Sequence, residues 1–167
     1  MKKLVVLLIT AFLASNFASA QSSWVTYKID NKLSTRLPTL PKTLNENSVY
    51  ALDKDSLIYI VTVVDLLKVA ELDSAALVPL APTADFANKI KQGVEQKMSG
   101  FIMGDIKVGK WKDYTSYKLE GGNDAKQLNS FTFMVIIGSK LYALMTLTPE
   151  NKTGKGKNAF YSSLKFN

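Results

Sequence analysis

FTFMVIIGSKLYALMTLT, Phe131 to Thr148, is two long apolar runs joined by Gly138-Ser139. A glycine followed by a small polar residue suits a two-residue II′ turn, which needs positive φ at its first central position. That turn pairs Ile137 with Lys140, Val135 with Tyr142 and Phe133 with Leu144 on one face. It pairs Ile136 with Leu141, Met134 with Ala143 and Thr132 with Met145 on the other. Both faces are largely apolar, whereas a sheet with one wet face alternates apolar and polar residues. The hairpin is therefore expected in the middle of an antiparallel sheet with a layer packed on each side.

The remaining segments supply strands and covering elements. Trp24–Ile29 and Leu33–Leu37 alternate around the turn Asp30-Asn31-Lys32, and Pro38 and Pro41 stop the second run. Val49–Leu52 and Leu57–Val64 read as strands around the polar reversal Asp53–Ser56; the longer is apolar on both faces. Asp105–Lys110 and Tyr114–Glu120 form another pair around Trp111-Lys112-Asp113. Thr83–Ser99 is the best helix: Thr83 can cap it and Asp85 suits its N-terminal dipole. Phe86, Ile90, Val94 and Met98 recur every four residues, and Gly100 can end it. Asp65–Pro82 is rich in Leu and Ala and reads as a partly helical connection that must cover something. Pro149–Lys157 is a loop by composition, and Asn158–Phe166 a short final helix capped by Asn158. The fold class expected is α+β: a central antiparallel sheet with helices packed on both faces.

The chain opens MKKLVVLLITAFLASNFASA, with a basic start, an apolar run too short to span a bilayer, and Ala18-Ser19-Ala20. This is the layout of a signal peptide, residues 1–20, cleaved after Ala20. Residues 21–167 are then expected to be a single soluble globular domain in the periplasm or outside the cell. No later run approaches the length of a membrane span, and with no cysteine in the sequence, lipid attachment to one is excluded.

Beyond residue 20 the chain holds 19 basic and 14 acidic side chains. Residues 21–88 carry 6 basic and 8 acidic groups; residues 89–167 carry 13 and 6. The asymmetry marks either a basic surface for an anionic partner or an ordinary solvated, lysine-rich surface. Arg36 is the only arginine. Nucleic-acid sites lean on arginine for bidentate contacts, so no nucleic-acid partner is expected.

The sequence contains neither histidine nor cysteine. That excludes Ser-His-Asp and Cys-His nucleophiles, haem axial histidine and the common zinc sites, so no metal, cofactor or catalytic residue is assigned. Asp53 and Asp55 are the one imaginable carboxylate pair, but acids in such a turn ordinarily serve the turn. Gly154-Lys155-Gly156-Lys157 fails the phosphate-loop pattern: residue 151 is Asn, and Lys157 is followed by Asn158. Lys152, Lys155 and Lys157 remain as candidate anion-binding residues. Trp24, Trp111, Tyr114 and Tyr117 are candidates for an aromatic surface or for packing.

The order of elements resembles the PsbP-like fold, named for an extrinsic photosystem II protein and shared by nuclear Ran-binding relatives and small bacterial secreted proteins. The resembling stretches are Trp24–Pro38, Tyr50–Asp65, the helix Phe86–Met98, Leu141-Tyr142-Ala143-Leu144 and Phe160–Phe166. The resemblance implies a glycine just before the strand begun by Tyr114, where this chain has Asp113, so the register of that hairpin is left open by the sequence. The resemblance implies an antiparallel sheet with helices on both faces. It also implies a binding or accessory role, not an enzymatic one. An envelope protein or anionic envelope component is the partner expected. The alternative is a carrier for a small apolar ligand, with residues 65–82 as a flap.

Overall fold

Residues 24–167 are described by a computed structural model; the expected signal peptide lies outside them. The hairpin forms as its sequence dictates. Strands β9 (Leu128–Ile137) and β10 (Lys140–Pro149) pair in the expected register, Ile137 with Lys140 and Phe133 with Leu144. Gly138 takes φ +63° while Ser139 stays outside the positive-φ region, as a II′ turn requires.

Around this hairpin an antiparallel sheet runs in the order β3-β4-β5-β10-β9-β8-β6, with β7 also on β8. Its other strands are β3 (Lys42–Asn45), β4 (Ser48–Leu52), β5 (Ile58–Asp65), β6 (Ile102–Met103), β7 (Lys107–Trp111) and β8 (Tyr114–Asn123). The β7–β8 register is fixed by the pair Trp111–Tyr114 across a two-residue turn. Lys112 opens that turn at φ +54°, a conformation usually left to glycine. Its ammonium stands over Trp111 and Phe166, 5.0 Å and 4.4 Å from the ring centroids.

Each face of the sheet is covered differently. On one face lie the helices α1 (Leu66–Ala70), α2 (Ser74–Leu80) and α3 (Ala84–Lys97). Leu66, Leu77, Ala81 and Ala87 meet Tyr117, Leu119, Met134, Ile136 and Leu141 there. Thr83 caps α3 by accepting the Phe86 amide, as expected. The helix ends at Lys97 with Met98 as its cap, so Gly100, at φ +83°, serves the following turn, which the Phe101 amide closes on the Met98 carbonyl.

The opposite face departs from the expectation of helices. It is covered mainly by a second, three-stranded sheet in the order β1-β2-β11, built from β1 (Val25–Lys28), β2 (Leu33–Leu37) and β11 (Lys165–Phe166), with the short helix α4 (Gly156–Ser162) beside it. Leu33, Leu37, Phe160 and Leu164 meet Tyr59, Val61, Phe133, Val135, Tyr142 and Leu144. The molecule is thus sheet-dominated. The apolar alternation of Leu33–Leu37 supplies the same buried stripe that a helix would.

Tyrosine hydroxyls fasten the covering layers to the sheet. Tyr117 donates to the Ala81 carbonyl at 2.5 Å, and Tyr161 to the Phe131 carbonyl at 2.7 Å. Tyr142 donates to Asp30 Oδ2 at 2.6 Å. Asp30 also accepts the amides of Lys32 and Leu33 through Oδ1 and pairs with Lys140 at 3.3 Å. One carboxylate therefore shapes the β1–β2 turn and ties the small sheet to the central hairpin. Partial burial alone would raise its pKa, but the Tyr142 hydroxyl, the two amides and Lys140 together lower it from 3.8 to about 2.

This lowered value sets a pH dependence. The charged form is favoured by folding, so the contribution is present above the unfolded pKa of 3.8 and is lost as pH falls toward 2. The carboxylate keeps some solvent contact, so the expected contribution is about 1 kcal/mol. Urea denaturation of wild type and Asp30→Asn should show that gap at pH 6 and its closure near pH 2. A gap unchanged over that range would show that the carboxylate charge is not what holds the turn.

Candidate functional site

The candidate lysines follow β10. Lys152 and Lys157 line a shallow depression of about 270 Å³ at the end of the central hairpin, with Glu120, Asn129, Phe131 and Thr148. Asn129 and Thr148 face each other across β9 and β10. Lys157 Nζ sits 5.0 Å from the centre of the Phe131 ring, a cation–π arrangement. Lys155 is exposed and outside this lining; it precedes α4 and makes no side-chain cap. The structure therefore brings two of the three lysines together.

The two glycines of the loop have structural causes. Gly154 has φ +60°. Gly156 lies against Tyr59, and a Cβ there would overlap the Tyr59 hydroxyl. Tyr59 is fully buried, edge-on to Trp24 and Phe160 with ring centroids 5.4 Å and 5.3 Å away. The helix begins at Gly156 and not at the expected cap Asn158, because glycine lets its first turn reach the tyrosine; it ends at Ser162, ahead of β11.

Asp53 serves its own turn. Its carboxylate accepts from the Asp55 and Leu57 amides and from the Tyr59 hydroxyl at 2.8 Å. The aromatic candidates pack as well. Tyr117 is buried, Trp24 packs on Tyr59, and Trp111 and Tyr114 pack on Phe166. Among the described residues no group of three or more acids, histidines or cysteines is arranged to hold a metal ion.

Residues 65–82 form α1, α2 and their connections. Leu66, Leu77 and Ala81 are part of the helix-side core. A second depression of about 430 Å³ opens between β1 and the β3–β5 end of the sheet, over Tyr27, Ile29, Val49 and Val63. It touches the 65–82 segment only through Asp65 and Lys68. Nothing local marks this depression, because its walls come from β1, the β3–β4 hairpin, β5 and Lys140, which only the tertiary fold brings together. Sequence reasoning also missed that Glu120 and Asn129 would stand beside the lysines, since their proximity depends on the pairing of β8 with β9.

No protein-family model and no curated protein sequence matches the chain. Solved structures do. The solution structure of cyanobacterial PsbP (CyanoP) from Synechocystis sp. PCC 6803 superposes with a TM-score of 0.63 at 13% identity, covering 89% of this chain and 95% of that one. The fold is PsbP-like. At this identity the likeness fixes the PsbP-like architecture and leaves the site to be argued from this chain's own residues. A crystal structure of a Pseudomonas aeruginosa protein of unknown function aligns at TM-score 0.47 and 10% identity, covering 83% of this chain and 91% of that one. A Bacteroides thetaiotaomicron structure aligns at 0.42 and 9%, covering 88% and 49%. Among the described residues, no helix of this PsbP-like chain is long and apolar enough to cross a membrane.

Proposed function

We propose that the chain is an exported, non-enzymatic accessory domain that binds an anionic envelope component or an acidic face of an envelope protein. The observation that carries this reading is the pair Lys152 and Lys157 beside a polar depression in a PsbP-like fold. Export rests on the signal-peptide layout of residues 1–20. The accessory role has support from the fold likeness and from carboxylates, Asp30 and Asp53, that are engaged in holding turns. The carrier reading, with residues 65–82 as a flap, has less support, because that segment contributes Leu66, Leu77 and Ala81 to the core.

Capture tests the proposal. Residues 21–167, immobilised and exposed to envelope extract, should retain a component that is released by raising salt. Retention of nothing beyond a blank resin, or retention indifferent to salt, would refute it.

A further inference from the structure

The loop lysines share their face of the sheet with others. Lys118 pairs with Phe133, and Glu120 with Phe131. Side chains in register share a face, so Lys118 and Glu120 lie on the side that carries the depression. On the next strand Lys107 stands directly opposite Lys118. Directly opposed residues have Cβ atoms ~4.5–5.5 Å apart, and like charges there destabilise the sheet. The ion pairs among the described residues are Lys91–Glu95 and Lys140–Asp30, so neither of these two lysines is held in one. Lys152 and Lys157 thus line the depression with one acid, Glu120, and Lys118 and Lys107 continue on the same face across β8 and β7.

We infer that this surface binds a linear acidic glycan, and that Lys107 and Lys118 form the half of the site that lies on the sheet. The inference rests on the proposed binding role of the 152–157 loop. The linear shape follows from the placement of the lysines, which continue from the depression across adjacent strands spaced ~4.8 Å. The glycan chemistry follows from the lining. Asn129, Thr148 and Thr153 each offer a donor and an acceptor, which suits hydroxyl groups. Glu120 also accepts from hydroxyls. The Phe131 ring already carries Lys157, so no open apolar socket awaits a peptide side chain. Lysines act as point charges and do not require planar carboxylate geometry, which fits a polymer of repeated charges.

The test measures binding of residues 21–167 to dextran sulfate, to uncharged dextran and to polyglutamate. Wild type should bind dextran sulfate and neither of the others with comparable affinity. Lys107→Gln/Lys118→Gln should weaken binding ~tenfold. Lys89→Gln/Lys97→Gln removes the same charge from exposed positions on α3, across the sheet, and should change binding less than ~twofold. Glu120→Gln should tighten binding by removing a like charge. Equal effects of the two double variants would show non-specific attraction and overturn the inference. So would polyglutamate binding as tightly as dextran sulfate, which would point to an acidic protein segment, or no binding of dextran sulfate by wild type. If Lys152→Gln/Lys155→Gln/Lys157→Gln weakens binding while the 107/118 variant behaves like the control, the loop proposal stands and this extension fails.

Discussion

Phe133→Ala is expected to lower unfolding stability by about 3–5 kcal/mol, a large share of the ~5–15 kcal/mol typical of a domain. Phe133 is buried in the centre of β9, between Leu144 on β10 and Lys118 on β8. It belongs to the cluster beneath the small sheet with Leu33, Leu37, Tyr142 and Phe160. Truncation removes a ring where the covering layer is itself anchored by Tyr142 and Asp30, so the site can collapse only partly. The urea midpoint should fall with the slope unchanged. A shift worth less than ~1 kcal/mol would show that the two sheets do not meet through this residue.

Gly156→Ala carries the second large effect. The new methyl would overlap the Tyr59 hydroxyl, and that hydroxyl is held by Asp53 at 2.8 Å. The ring is fixed between Trp24 and Phe160. Relief therefore requires moving α4 or breaking the Asp53 bond, at a cost of about 2–3 kcal/mol. Because the obstruction is the hydroxyl, Tyr59→Phe in the same chain should recover part of the loss. The two changes together should then cost less than the sum of their separate effects. Additive costs would place the strain elsewhere in the loop.

Residues that carry their own signal gave up their structure in the sequence. The β9–β10 register follows from two apolar alternations and one turn glycine, and the α3 start from Thr83. What stayed hidden depends on partners far along the chain. β3 has four exposed residues, so no apolar alternation marks it; backbone pairing with β4 alone makes it a strand. Leu33–Leu37 read as a strand, yet nothing local says that it pairs with Lys165–Phe166 and covers the sheet. Asp30 read as a turn residue, but its bond to Tyr142 belongs to tertiary packing. The glycines at 154 and 156 resembled an anion loop and are explained by a positive φ and by contact with Tyr59. Lys152, Lys155 and Lys157 were visible as a basic loop. That Lys155 is outside the lining of the depression emerges only from the fold, and that Lys118 and Lys107 share its face required the β7–β8–β9 register.

The slope of binding affinity against salt concentration is the most direct test of anion binding by the loop lysines. It should be measured for the captured envelope component with wild type and with Lys152→Gln/Lys155→Gln/Lys157→Gln. Lys152 and Lys155 are exposed, where substitutions usually change stability by no more than ~0.5 kcal/mol, and Lys157 adds the loss of its contact with Phe131, worth ~0.5–1 kcal/mol, so the triple variant should unfold at only a slightly lower urea concentration. The triple variant is predicted to bind more weakly at low salt, with a flatter salt dependence. The same affinity and the same slope for both proteins would show that these lysines do not hold the partner and leave the loop a solvated connector.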